Sequence, residues 1–208
     1  MKNNLPNKLT VLRIILTFVV IGLLVFPYAE VGIAVTTYDI GGVSLKLNYA
    51  IAGLIYILAS LTDFVDGYLA RRWNMVTDLG KMLDAIADKI LVNSVLIILA
   101  VNGMLSVIPS VNVLIPVIIV LRDIVVNAIK MQAAASGKVV AAIESGKLKT
   151  ASLMIGTTLA LYSNLPFELI GKGLKVSDFL LCFAAVMSLI SGIQYWYMNK
   201  HIIFGTKK

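Results

Sequence analysis

Long uncharged apolar runs dominate the chain, at 14–29, 47–62, 90–121, 150–167 and 179–199. A helix needs about 20 mostly apolar residues to cross the hydrocarbon core of a bilayer. The run 90–121 is too long for one crossing and is interrupted by Asn102-Gly103 and Pro109-Ser110, so it divides in two. The pattern predicts six helices, at about 8–28, 47–72, 81–102, 110–134, 147–164 and 177–199. The fifth carries the faintest signal, being short and containing Gly156 and three threonines. The opening segment Asn4 to Arg13 reads as amphipathic, an anchor at the membrane surface that leads into the first helix. Residues 30–46, with Asp39 and Gly41-Gly42, predict a hairpin or short turn. The expected fold is an all-α integral membrane protein, one domain over residues 1–208, with six transmembrane helices and an N-terminal juxtamembrane segment.

Composition agrees. Of 208 residues, 59% are hydrophobic and only 14% charged, with a mean hydropathy of +0.92. Ordinary soluble domains carry roughly 45–50% apolar and about 25% charged residues, and disorder needs low hydrophobicity. The net charge of +7 reads as topology before it reads as nucleic-acid affinity. Placing both termini inside gives the inner segments 13 Lys and Arg and leaves Lys46, Lys172 and Lys175 outside, as the positive-inside rule requires. A cleaved signal peptide fits poorly, because Arg13 abuts the apolar run and no A-x-A site precedes Glu30. The single cysteine, Cys182, lies in an apolar run and has no internal disulfide partner. The single histidine, His201, lies in a basic tail, which excludes His-rich metal sites and a Ser-His-Asp triad. Chemistry is left to carboxylates, lysines and arginines.

Four aspartates occupy positions where membrane helices rarely hold them. An ionised Asp in a membrane helix costs about 2.5–3.5 kcal/mol on insertion scales, yet Asp63, Asp66, Asp84 and Asp88 sit at the inner ends of the second and third helices. Helical spacing puts Asp63, Asp66, Gly67 and Ala70 on one face, and Gly80, Asp84 and Asp88 on one stripe of the next helix. A short loop makes the two helices antiparallel neighbours, so the stripes can face each other. Unpaired, such carboxylates repel, and divalent cations relieve that. Hard oxygen ligands select Mg²⁺, Mn²⁺ or Ca²⁺ over zinc, and four carboxylates suit two ions that clamp a phosphoryl group. Gly67, Ala70 and Gly80 remove bulk beside the acids, and Arg71 can reach a phosphate. Small residues also favour helix packing, Arg71 and Arg72 also serve as topology determinants, and Asp78 also reads as a loop residue or helix cap. A cation pathway is the other use of four acids, although it does not call for the small residues and the arginine.

The spacing D-x2-D-G-x2-A-R-x8-G-x3-D-x3-D, complete from Asp63 to Asp88, resembles the CDP-alcohol phosphotransferase family. The resemblance implies six membrane helices, a homodimer and two divalent ions, Mg²⁺ or Mn²⁺, at the cytoplasmic face of the cell membrane. It also implies transfer of a phosphatidyl or similar group from a CDP-linked donor to an alcohol, with release of CMP. The opening Leu5 to Arg13, and the segments Arg122-Asp123, Gly137 to Ala142 and Gly146 to Thr150, are similar to a bacterial branch that uses CDP-diacylglycerol and glycerol 3-phosphate in phospholipid synthesis. Two departures stand out: Asp123 where the family usually has Glu, and Lys130 where it usually has Arg. Enzymes of the same family with inositol phosphate, serine or a lipid alcohol as acceptor are the nearest alternative, and a non-enzymatic cation transporter is a more distant one.

Under that resemblance Asp63, Asp66 and Asp84 are expected as metal ligands, with Asp88 completing a shell or acting as general base. Gly67, Ala70, Arg71 and Gly80 are expected beside the donor, with Asn7, Thr10 and Arg13 near its head group. The acceptor is itself an anion and needs cations. Arg122 lies in an otherwise apolar span, where an isolated cation is costly. With Lys130, Lys138, Lys147 and Lys149 it forms the expected acceptor-phosphate pocket, although Asp123 is also a natural partner for Arg122.

Overall fold

The computed structural model describes residues 5–72, 78–102, 113–137, 140–141, 143–171, 173 and 175–203. Side chains are described at these positions except 5–7, 63–72, 78–79, 81–82, 85 and 201–203. The elements in chain order are α1 (Leu5–Val25), β1 (Thr37–Ile40), β2 (Val43–Lys46), α2 (Leu47–Arg72), α3 (Asp78–Val101), α4 (Leu114–Ala135), α5 (Glu144–Leu161), the single turn α6 (Phe167–Ile170) and α7 (Val176–Ile203).

Among the described residues six long helices fall where the apolar runs predict them, within four residues at every end. The opening segment is not a separate surface helix. It forms the first turns of α1, which runs unbroken from Leu5. Pro6 lies in the first turn, where a missing N–H costs nothing, and no later glycine or proline interrupts the helix before Gly22. The chain then turns at Pro27, which cannot continue a helix. The predicted hairpin is β1–β2, antiparallel, with Ile40 opposite Val43. Gly41 and Gly42 both take positive φ, the requirement of a tight two-residue hairpin turn, and the Gly42 N–H donates to Asp39 Oδ1 at 2.7 Å.

The weakly apolar α5 buries one face, with Lys149, Leu153, Gly156, Thr157 and Ala160 inside and Leu148 and Ile155 exposed. Three of its hydroxyls bond its own backbone, Thr150 donating to the Gly146 carbonyl at 3.1 Å, Ser152 to that of Leu148 at 2.9 Å and Thr158 to that of Met154 at 2.9 Å, while Ser145 Oγ donates to Gln194 Oε1 of α7 at 2.6 Å. A Cβ at Gly156 would meet Leu181 Cγ at 3.0 Å, so the glycine sets how closely α7 approaches. The main core joins Val20, Tyr56, Leu96, Ile119, Leu153 and Leu181, from all six long helices.

Side-chain bonds fix which helix ends lie together. At one end Asn48 Nδ2 donates to the Leu23 carbonyl at 3.2 Å and Asn102 Nδ2 to Tyr49 Oη at 2.9 Å, tying the end of α1, the start of α2 and the end of α3. The end of α5 joins them, with Tyr162 Oη donating to the Ala50 carbonyl at 3.2 Å. Asn164 Oδ1 accepts from the Ser177 N–H at 2.7 Å, bringing the start of α7 to the same end. The start of α3, the end of α2 and the start of α5 therefore lie at the other end. The bundle's outer face is apolar: Phe18, Leu54, Leu121, Ile124, Phe179 and Ile193 are each more than half exposed. Such a surface suits lipid rather than water. Among the described residues, two segments, Lys8–Val25 and Val176–Lys200, are long and apolar enough to cross a membrane unaided by composition.

Candidate active site

The end of the bundle away from the hairpin carries the described charged residues of the candidate site. Asp63, Asp66, Gly67, Ala70 and Arg71 belong to the C-terminal part of α2, but their side chains lie outside the described residues, as does that of Asn7 in α1. Lys138 lies outside them altogether. The α3 half of the motif is described. Gly80, Asp84 and Asp88 are half-buried and lie one turn apart along α3.

Asp84 is held from a direction that spacing alone did not indicate. Arg13, fully buried, crosses from α1 and donates from Nη1 to Asp84 Oδ1 at 3.0 Å. The Arg13 carbonyl in turn accepts from Thr17 Oγ1 at 2.8 Å. The aspartate side chain is 46% exposed, so the buried cation orients a carboxylate that keeps an open side. Thr10, expected near the donor, is buried on the same helix. Arg13 thus stands behind a motif aspartate rather than in the open.

A cavity of about 370 Å³ opens beside this point. Asp88 and Lys89 of α3 form one wall and Arg122, Asn127 and Lys130 of α4 another. The start of α5 contributes Lys147, Lys149 and Thr150, and α7 closes the floor with Tyr195. Four of the five cations expected in an acceptor pocket therefore come together. They are not equivalent. Lys149, almost fully buried, places Nζ 2.9 Å from Asp123 Oδ1 and 3.0 Å from Oδ2. Arg122 Nη1 donates to the same Oδ1 at 3.0 Å, and its Nε donates to Ser191 Oγ at 3.1 Å. Removing one partner of a buried pair strands a charge and costs roughly 3–5 kcal/mol. Lys130 is exposed, its Nζ 5.4 Å from the centre of the Tyr195 ring, over which Arg122 also lies at 5.5 Å. Lys147 pairs with Glu144 at 2.7 Å in the open, an interaction of small energetic weight.

Sequence reasoning missed Lys89, Tyr195 and the Ser191-Gly192 pair. Lys89 had the signal that singled out Arg122, a cation at the edge of an apolar run. Tyr195 had none, since an aromatic suits any position of such a helix. Gly192 matters through close approach: a Cβ there would lie 3.1 Å from Arg122 Cγ.

Carboxylates beside a cationic cavity at one end of a helical bundle with an apolar outer face suit a membrane-associated enzyme that handles phosphate groups. The sequence profile of the CDP-alcohol phosphatidyltransferase family matches residues 3–205. The CDP-diacylglycerol--glycerol-3-phosphate 3-phosphatidyltransferase of Bacillus subtilis is 36% identical over 198 residues, covering 94% of this chain and 95% of that one. Proteins of the same name from Mycoplasma genitalium and Rickettsia bellii are 30% and 32% identical, covering 96% and 93% of this chain and 75% and 93% of theirs. This chain belongs to the CDP-alcohol phosphatidyltransferase family, and it is a transferase.

Among the described residues no three His, Cys, Asp or Glu side chains gather as a metal cluster, since two of the four motif aspartates are known only by their place in α2. The two described ones fit divalent ions chemically. Both are hard oxygen donors, Asp84 is half exposed with only Oδ1 engaged by Arg13, and Asp88 faces the cavity.

Proposed function

We propose that this protein transfers the phosphatidyl group of CDP-diacylglycerol to glycerol 3-phosphate, giving phosphatidylglycerophosphate and CMP. The carrying observation is the cationic cavity next to Asp88, in a chain similar over nearly all its length to proteins of that named activity. Five cations against two acids line it, which suits an anionic substrate and argues against a cation pathway. The six long helices cross the cell membrane as one domain over residues 1–208, with both termini and the site on the cytoplasmic side. The excess of Lys and Arg in the segments at the site's end supports that orientation. The assembly expected is a homodimer.

Asp63, Asp66, Asp84 and Asp88 would hold two divalent ions, Mg²⁺ or Mn²⁺. Bound there, such ions supply charge neutralisation at the donor pyrophosphate. The chain does the rest. Gly67, Ala70 and Gly80 leave room for the cytidine diphosphate against helix backbone, and Arg71 contacts its phosphates. Asn7 and Thr10 flank that space, and Arg13 acts through Asp84. Arg122, Lys130, Lys138, Lys147 and Lys149 receive the acceptor's phosphate. Asp88 takes the proton from the acceptor hydroxyl as its oxygen attacks the lipid-linked phosphorus in line, and CMP leaves.

The direct test is CMP release from CDP-diacylglycerol with a panel of acceptors. Glycerol 3-phosphate is expected to support release at least tenfold faster than inositol phosphate, serine or a lipid alcohol. A preference for one of those would overturn the acceptor assignment and keep the family. Replacing Arg122 by Gln is expected to raise the acceptor KM about tenfold or more with the donor KM little changed. An equal rise in both would remove Arg122 from the acceptor pocket.

A further inference from the structure

Two of the cavity's five cations are held by a residue that has no part in the chemistry proposed above. Asp123 is 8% exposed and reaches from α4 to Lys149 of α5. Its Oδ1 accepts from both Arg122 Nη1 and Lys149 Nζ, and its Oδ2 accepts a second time from Lys149. Three charge-assisted bonds thus meet on one carboxylate. Ser191 takes Arg122 Nε at 3.1 Å, and Gly192 packs under the arginine stem. Arg122 is left with Nη2, which no described residue engages. A Cβ at Gly146 would lie 3.5 Å from that nitrogen, so the glycine keeps its approach open. An ammonium has three donors, so Lys149 also keeps one beyond the two that Asp123 takes.

We infer that Asp123 is a positioning residue for acceptor recognition. By holding Lys149 and Arg122 on one carboxylate, it presents the remaining N–H of Lys149 and the Nη2 N–H groups of Arg122 to the phosphate of the incoming acceptor. The inference rests on the proposed function, since the acceptor is taken to be glycerol 3-phosphate. Two side chains that would otherwise repel are fixed before the ligand arrives, so ordering them costs nothing at binding. A carboxylate that merely offset charge would have the opposite effect. Its removal would raise the positive potential of the cavity and tighten anion binding.

The sign of one measurement separates the two. In purified full-length protein, Asp123→Asn is expected to raise the KM for glycerol 3-phosphate by roughly 10–100-fold, the range expected for lost charge-assisted bonds. The KM for CDP-diacylglycerol should stay within about twofold, and Asp123→Glu should recover to within about fivefold of the unsubstituted enzyme. An unchanged or lowered acceptor KM, or an equal rise for both substrates, overturns the inference. Should Asp123→Asn fail to fold, the neutral pair Asp123→Asn with Lys149→Gln is compared with Lys149→Gln alone. Because Asp123 still holds Arg122 once Lys149 is gone, the pair should have a higher acceptor KM than Lys149→Gln alone, by about threefold or more. An acceptor KM in the pair equal to or below that of Lys149→Gln alone would overturn it. Unsubstituted enzyme that releases no CMP with glycerol 3-phosphate takes down the proposed function, and the inference with it. An active enzyme with insensitive Asp123 variants takes down the inference alone.

Discussion

Replacing Asp88 by Asn is expected to slow CMP release by about 10²–10⁴-fold while leaving the protein folded. Asn keeps the size of the side chain and one acceptor oxygen but cannot take a proton. The location makes the expectation specific. Asp88 is one turn from Asp84 on α3 and lines the cavity that Lys149, Lys147 and Arg122 also line. It therefore stands between the pair of helices carrying the donor motif and the cations expected to hold the acceptor. Among the described residues no side chain makes an ion pair with Asp88, so its amide counterpart leaves no buried cation stranded. That contrasts with Asp123, whose loss strands two. The readouts are radiolabelled CMP release at saturating substrates and the melting temperature in detergent. Near-normal turnover in a folded Asp88→Asn protein would remove Asp88 as the base. A loss of turnover with an equal loss of fold would give it a structural role instead.

The helices were legible because bilayer physics writes them in composition. Each long helix follows an uncharged run, and boundaries moved by a turn at most because charge marks where the apolar stretch ends rather than where hydrogen bonding ends. Thus α5 begins at Glu144, before the apolar run, with Lys147 and Lys149 in its first two turns. The motif from Asp63 to Asp88 was legible for a different reason. Acids at helical spacing in an apolar chain have few structural uses, so their pattern carries information that single residues do not.

Pairing across helices was not legible. Nothing in Leu12-Arg13-Ile14 says that the guanidinium turns inward to Asp84, 71 positions later. Nor does Lys149 advertise that its partner is Asp123, since a lysine in that stretch reads equally as a topology determinant. Such pairs are set by which helices pack, and α5 against α7 and α4 against α7 are choices made by small residues and core shape. Gly156 and Gly192, both at close approaches to a neighbouring helix, are the sequence's record of those choices. A glycine in an apolar run has too many uses to be read in advance.

Chelation is the other large effect. EDTA is expected to lower CMP release by at least about a thousandfold, and Mg²⁺ or Mn²⁺ should restore it. Most of the described cations near the site are already paired with acids of the protein. Arg13 is engaged with Asp84, Arg122 and Lys149 with Asp123, and Lys147 with Glu144. Those pairs leave Arg71 as the cation assigned to the donor, too little to neutralise a pyrophosphate as negative charge builds on the leaving CMP. The four motif aspartates make the deficit worse, since carboxylates beside a phosphate are repulsive unless a cation lies between them. A site rich in acids that must accept polyanions is workable only with metal bound. A second readout is independent of turnover: Mg²⁺ should raise the melting temperature of the resting protein saturably, as a ligand of the folded state does. Asp63→Asn with Asp66→Asn should abolish that rise. Full activity after exhaustive chelation would sink the two-ion assignment, and metal-dependent stabilisation that survives loss of both aspartates would move the ions away from α2.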